Sequence, residues 1–216
     1  MTEQHAERLK QNWLDVAGSW GAAPDLPAAT YDAIVAAYGS EGRFYHTLDH
    51  IASVLGTIER FGPGDDPDAL AMAAWYHDLI YDTRAADNEE QSAARARREL
   101  RLLGAPEQFI DRVVRLVLAT KDHRIEPGDD DGALFLDADL AILGARQSDY
   151  DAYSIHIRME YGWVTASTYR AGRARVLESF LFRDRIYRTE KMFELYENAA
   201  RVNIAGELFQ LPSRSL

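Results

Sequence analysis

A histidine and an aspartate stand side by side in the segment AAWYHDLIYD, at positions 77 and 78, and they interrupt a strongly apolar run. Burying an unpaired charge in apolar surroundings is costly, so the pair must find hydrogen bonds or a cation. Seen by itself, such a dipeptide is also typical of a polar pair at the end of a helix. His77 and Asp78 are therefore either a helix-end pair or part of a metal site.

Two further histidines, His46 and His50, lie four residues apart in the segment RFYHTLDHI. On a helix this spacing places both rings on one face. Metalloproteases use the same spacing, but they need a glutamate directly after the first histidine, and Thr47 stands there. The pattern therefore disfavours a protease, and the two histidines also fit an ordinary polar helix face.

A pair of aspartates, Asp137 and Asp139, lies in the otherwise apolar segment FLDADLAILG. Residues two positions apart on a helix point in different directions, so both cannot face the same site. We expect one to cap the start of a helix and the other to point into the core, where a buried carboxylate needs a cation. Asp139 is the candidate for the inward position.

The order of these residues resembles the HD-domain superfamily of metal-dependent phosphohydrolases, in which these residue types hold a divalent metal inside a helical bundle. The resemblance is carried by RFYHTLDHI, AAWYHDLIYD, NEEQSA, FLDADLAILG and YRAGRARVLESFLFRDRIY, which together look like a small group of uncharacterised bacterial HD proteins. It covers residues from about 40 to about 205 at motif spacing. It implies a compact all-α bundle of the HD-domain type.

The resemblance also implies the metal ligands, which are His50, His77, Asp78 and Asp139. The family's first histidine is usually followed four residues later by an aliphatic residue, as His50 is by Val54, and its last ligand is an aspartate that follows a small residue. Two imidazoles and two carboxylates suit one divalent ion, which could be Mn, Fe, Co, Zn or Mg. His46 fits this spacing less well, so we expect it either to orient the substrate or to hydrogen-bond to a metal ligand without binding the metal itself.

The chemistry implied by such a site is hydrolysis of a small phosphate ester, with a nucleotide as the expected substrate. Asn88 and Gln91 fit a capping box, which predicts that the next helix opens at Glu89. Asp82 comes one helical turn after Asp78, so either Asp82 or Glu89 could act as acid or base. Both also fit ordinary helix-end carboxylates.

Four basic side chains stand beside the motifs and are predicted to contact the phosphate: Arg43, Lys121, His123 and Arg170.

Two alternatives to a hydrolase stay open. Some HD-type domains hold two irons and oxidise small molecules, but they place two further histidines between the His–Asp pair and the last aspartate, where this chain has only His123. The other alternative is a metal-containing module that binds a nucleotide or a partner without turnover.

The composition narrows the class of protein. Of the 216 residues, 47% are hydrophobic, which is enough for one compact domain over residues 1–216. A net charge of −11 disfavours nucleic acid and anionic membrane surfaces as partners. The absence of cysteine leaves only imidazole and carboxylate as metal ligands and suits the cytoplasm. No signal peptide or membrane span is expected, and a homo-oligomer stays open.

The elements that position these residues are predicted to be helices. Ile110, Val113, Val114 and Val117 recur at steps of three and four, which is the period of a helix with one buried face. Other segments show the same period, and none has the alternation of a strand. The predicted helices span residues 5–20, 28–39, 47–61, 67–82, 89–103, 107–121, 133–144, 147–163, 168–183 and 190–207.

Overall fold

The computed structural model describes residues 3–62 and 64–211, and within these ranges it contains no strand. The prediction of an all-α chain is therefore confirmed. The α-helices are α1 (Glu3–Ala17), α2 (Leu26–Tyr38), α3 (Leu48–Phe61), α4 (Pro67–Tyr76), α5 (Asn88–Leu102), α6 (Glu107–Ala119), α7 (Asp130–Asp139), α8 (Gln147–Glu160), α9 (Ala166–Leu181) and α10 (Glu190–Gln210). None of the helices in these ranges has the length and apolarity needed to cross a membrane.

The helix that leads to the His–Asp pair ends at Tyr76, six residues before the predicted end at 82. After it, the Leu79 amide donates to the carbonyl of Tyr76 at 3.1 Å, which is the tighter bonding of a 3₁₀ turn. Side chains form hydrogen bonds with the last carbonyl groups of the helix. The Tyr38 hydroxyl donates to the carbonyl of Trp75 at 3.0 Å, and Nδ1 of His77 binds the carbonyl of Ala74. Because these carbonyls are satisfied, the helix can stop here, and Asp78 lies in a turn.

The chain forms two compact units, residues 1–136 and 137–216, and the boundary between them falls inside α7. In the first unit every residue of α4 from Ala69 to Tyr76 is buried, and this helix packs against α1, α3 and α6. Its aromatic core includes Trp13 and Trp75, whose ring centroids lie 5.8 Å apart in an edge-to-face arrangement. A helix that is apolar all round is buried all round, which explains the unbroken apolar run before the His–Asp pair.

The second unit is organised by α10, which packs against α8, α9 and a 3₁₀ helix (Leu140–Gly144) that continues α7. The sequence predicted a single helix over 133–144, and the structure divides it into an α and a 3₁₀ part. The 3₁₀ helix is held by side chains: the Tyr187 hydroxyl donates to the Leu140 carbonyl at 3.0 Å, and the Asn203 amide donates to Leu143 at 2.8 Å.

The close approach of the 3₁₀ helix to α10 depends on Gly144. A Cβ atom at this position would lie 2.6 Å from the Cβ of Tyr196 and 2.8 Å from its carbonyl oxygen. We expect Gly144→Ala to lower the free energy of unfolding by about 1–3 kcal/mol, since the backbone of α10 must move. Gly206→Ala, on α10 with open space around its Cβ, is the matched control. It should be neutral or up to about 1 kcal/mol stabilising. Urea unfolding measures both, and equal effects would contradict the prediction.

Candidate metal centre

Two buried histidines and an aspartate of the first unit converge on one point. His50 is in the first turn of α3, and His77 follows the last residue of α4. The Nε2 atoms of the two rings lie 3.1 Å apart, and Oδ2 of Asp78 lies 3.0 Å from Nε2 of His77 and 3.6 Å from Nε2 of His50. His50 is 4% exposed and His77 is 1% exposed, so two ring nitrogens face each other away from solvent.

The orientation of the His77 ring is fixed by its other nitrogen. Nδ1 lies 2.9 Å from the carbonyl oxygen of Ala74, one turn earlier on α4. A carbonyl can only accept, so Nδ1 carries the hydrogen, and in the neutral ring Nε2 presents a lone pair. The ring also packs edge-on against Phe135 at 5.8 Å. Metal-binding histidines are held in this way, with the distal N–H on a backbone carbonyl.

The carboxylate of Asp78 is the charged group of the cluster. Burial acts to raise the pKa of Asp78, but the nearby histidines, His77 first, then His46 and His50, hold that pKa well below its ordinary value. The side chain is one-fifth exposed, so it is not fully shut off from solvent. The group is therefore an anion that the imidazoles already stabilise, and it remains accessible from outside.

Asp139 is the last residue of α7, the helix whose first seven residues belong to the first unit. Among the described residues, His50, His77 and Asp139 form a group whose ligand atoms all lie within 4.8 Å of one another. This group could hold a metal ion, and the role of Asp139 as a ligand stays a prediction.

Asp137 is 1% exposed and Asp139 is only partly buried, so the prediction that Asp139 is the inward residue of the two is wrong as regards burial. The carboxylate of Asp137 accepts from the amides of Arg188 and Thr189 at 2.8 and 2.7 Å and from the hydroxyl of Thr189 at 2.7 Å. Thr189 is the residue that precedes α10, so Asp137 anchors the start of that helix. Burial raises the pKa of Asp137, and these hydrogen bonds oppose the rise. A carboxylate engaged with the backbone in this way is structural.

The second histidine of RFYHTLDHI lies in the helix and the first does not, since α3 begins at Leu48. The prediction that His46 and His50 share a helix face is therefore wrong, because residues 44–47 form a bend. The rings still meet, with centroids 5.8 Å apart, and Nε2 of His46 lies 3.9 Å from Oδ2 of Asp78. His46 also packs on the ring of Tyr81 at 4.2 Å. The side chain of His46 is 18% exposed, against 2% for His50 and 1% for His77, so it lies nearer to solvent than they do.

The predicted acid–base residues lie in and after the loop that follows the His–Asp pair. Asp82 is exposed and is not on a helix, so the expectation that it shares a helix face with Asp78 is wrong. Its backbone amide and carbonyl both bind the side chain of Asn88, at 3.0 and 2.9 Å. Asn88 is consequently not a helix cap: α5 begins at Asn88 itself, and Asp87 precedes it. Glu89 lies in the first turn of α5 and is partly buried; its role stays a prediction.

The predicted phosphate contacts are spread over the chain. The Lys121 ammonium donates to the carbonyl of Ala86 at 3.1 Å and forms an ion pair with Glu90. His123 has a φ of 53°, in the loop after α6. Arg170 lies on α9 in the second unit. The guanidinium of Arg43 binds three backbone carbonyls of the first unit, those of His46, Asp78 and Leu79, in the segments that carry residues of the candidate metal centre.

Sequence reasoning gave no role to Ser92 and assigned Asn88 to a capping box, whereas both residues hold the loop that follows the His–Asp pair. Ser92 is fully buried on α5, and its hydroxyl accepts from the amide of Ile80 at 2.9 Å. Ser92 and Asn88 both belong to the segment NEEQSA, and together they tie the loop to the first turns of α5. A buried polar residue in that short motif was the available signal, but only the fold shows what it binds.

The donor set fits a divalent cation. Ligands about 2.0–2.2 Å from one ion lie roughly 3–3.6 Å from each other, and the separations among His50, His77 and Asp78 are 3.1, 3.0 and 3.6 Å. One cation could accept a lone pair from each ring nitrogen, whereas without a cation one ring must donate an N–H to the other.

Comparisons of the chain with protein-family models, with curated proteins and with solved structures give no match.

Proposed function

We propose that this protein is a metal-dependent phosphohydrolase of the HD-domain type that acts on a small phosphate ester, with a nucleotide as the expected substrate. The observation that carries the proposal is the convergence of His50, His77 and Asp78, with the His77 tautomer fixed by Ala74. Asp139 completes the proposed set of ligands for one divalent ion.

The chemistry assigned to each part follows from its position. A divalent cation supplies a more acidic water and neutralises charge on a phosphoryl group. His50 and His77 would bind the ion from the buried side, since they are 4% and 1% exposed. The carboxylate of Asp78 and the ring of His46 lie nearer to solvent, where a phosphate ester would approach. His46 is therefore the best-placed side chain for orienting the substrate.

The preference for hydrolysis over di-iron oxidation rests on the number of available ligands. Among the described residues, the group that could hold a metal contains two histidines and one aspartate beside Asp78. The sequence places one histidine, His123, between the His–Asp pair and Asp139. A second ion would need further ligands around a bridging carboxylate. One metal ion per chain is the arrangement we propose.

The test is an assay of the metal-depleted protein, reloaded in turn with Mn, Fe, Co, Zn and Mg, against a panel of nucleotides, sugar phosphates and cyclic nucleotides. We expect hydrolysis with at least one metal and none without it. Asp139→Asn should weaken metal binding more than about 100-fold, because the loss of an outer-sphere partner alone costs about 10–100-fold. Asp137→Asn is the matched control, and it should lower stability while leaving metal affinity unchanged.

Three outcomes would overturn the proposal. Close to two irons per chain with a spin-coupled signal would favour the oxygenase. Tight metal binding without turnover of any ester in the panel would favour a binding module. Metal affinity that falls with Asp137→Asn and not with Asp139→Asn would show that the ligand is misassigned.

A further inference from the structure

Arg43 connects the two backbone segments that carry the more exposed residues of the metal centre. Its Nη1 donates to the carbonyls of His46 and Asp78, at 3.1 and 2.8 Å, and its Nη2 donates to the carbonyl of Leu79 at 2.8 Å. The guanidinium lies between two aromatic rings, 4.9 Å from the centroid of Tyr38 and 5.4 Å from that of Tyr81. Hydrogen bonds and ring contacts therefore both fix its position.

The segments that Arg43 joins have little regular bonding of their own. The bend before α3 carries His46, and the turn after α4 carries Asp78 and Leu79. Backbone carbonyls in such segments need partners once they are removed from water. A planar guanidinium can reach carbonyls on two segments at once, whereas the single ammonium of lysine cannot present the same fork. The positive charge is also favourable beside the carboxyl end of α4.

We propose that Arg43 is a positioning residue that sets the place of Asp78 and His46, in contrast to the phosphate contact that its sequence position suggests. Both N–H groups of Nη1 and one of Nη2 are directed at protein carbonyls. The fork between Nη1 and Nη2 is therefore already engaged, and Nε is buried, so the guanidinium does not present a pair of donors to a phosphate. Rotation of the Asp78 peptide would carry its carboxylate away from His50 and His77, so Arg43 acts on the ligands through the backbone.

The expected effect of Arg43 on metal binding rests on the proposed function. The hydrogen bonds from Arg43 to the carbonyls of His46, Asp78 and Leu79 do not depend on a metal. We would compare Arg43→Lys and Arg43→Gln with the matched controls Arg60→Lys and Arg60→Gln. Arg60 is an exposed arginine in the last turn of α3, packed on Phe61 at 5.1 Å. Circular dichroism sets a temperature at which every variant is folded, and the amides of α10 serve as the reference.

Two measurements are made on each variant. In the metal-free protein, hydrogen exchange of the amides of residues 79–82 should be about 10-fold or more faster in both Arg43 variants, because the loop opens more often. In a titration with Mn²⁺ alone, the affinity of both Arg43 variants should fall about 10–100-fold, as for other residues that hold a metal ligand in place. Both Arg60 variants should behave as wild type in each measurement.

Unchanged exchange in the Arg43 variants would overturn the proposal, and so would faster exchange with normal Mn²⁺ affinity. Arg43→Lys with normal exchange, normal Mn²⁺ affinity and a raised KM alone would assign the residue to the phosphate instead. If wild-type protein binds no Mn²⁺ or other divalent ion, the proposed function fails. The exchange result in the metal-free protein would then decide the role of Arg43 without the second measurement.

Discussion

Replacement of His77 by alanine or of Asp78 by asparagine is expected to abolish both metal binding and phosphohydrolase activity. Each change removes one of four proposed protein ligands, and the remaining ones cannot hold the ion with comparable affinity. His77 also directs its Nε2 toward His50 through the bond from Nδ1 to Ala74. Metal content measured after gel filtration, together with the ester assay, tests the prediction.

The two variants should differ in stability, which separates binding from folding. Asp78→Asn keeps the shape of a side chain that is one-fifth exposed, so it should lose less stability than His77→Ala, although it gives up the attraction between the carboxylate and the imidazoles. His77→Ala empties a buried position and leaves the Ala74 carbonyl without its partner, at a cost of about 1–3 kcal/mol. His156→Ala, on the exposed face of α8, and Asp32→Asn, on the exposed face of α2, are the controls. Metal retained in either site variant would show that the centre is misplaced.

A second large effect is expected on stability, at a buried ion pair of the second unit. Arg173 donates to Glu207 through Nε at 2.9 Å and through Nη2 at 3.0 Å, and their side chains are 7% and 2% exposed. The Tyr150 hydroxyl donates to the same carboxylate at 2.7 Å. Removing one member leaves the other charged and buried, so Arg173→Met should lower the free energy of unfolding by about 3–5 kcal/mol.

The control is the exposed pair of Arg185 and Glu190, which is also bidentate, through Nη1 and Nη2 at 3.0 and 3.1 Å. Solvent screens this pair, so Arg185→Met should cost no more than about 1 kcal/mol. Replacing both Arg173 and Glu207 by methionine should recover most of the loss, because neither charge is then stranded. Urea unfolding at neutral pH measures all of these variants. Equal losses in the free energy of unfolding for Arg173→Met and Arg185→Met would contradict the prediction that breaking the buried pair is the more costly change.

The same pair predicts a pH dependence of stability. Burial acts to raise the pKa of Glu207, but the hydrogen bonds and charge of Arg173, with the hydrogen bonds from Tyr150 and Ser154, hold that pKa below its ordinary value. A lowered pKa means that this stabilisation is present above the unfolded value, about 4.3, and is lost as the pH falls through the folded value. The difference in stability between wild type and Glu207→Gln should therefore shrink on acidification below about pH 5.

Several features followed from local sequence because they depend on local physical chemistry. The apolar period of three and four is set by the pitch of a helix, so most helices of the described residues lie close to their predicted ranges, and α4 and α7 are the exceptions. An adjacent histidine and aspartate in an apolar run require partners, which is why His77 and Asp78 could be singled out. The two-residue spacing of Asp137 and Asp139 separated their directions before either had a known neighbour.

Other features were decided by partners that are distant in sequence. α4 stops at Tyr76 because Tyr38 and the His77 ring take its last carbonyls, and no local pattern announces a stop there. The carboxylate of Asp137 binds residues 188 and 189, and the guanidinium of Arg43 binds residues 78 and 79. Residue type and spacing therefore determined which groups must be satisfied in this protein. Only the tertiary structure decided which groups satisfy them, because a hydrogen bond depends on separations of about 3 Å that sequence distance does not encode.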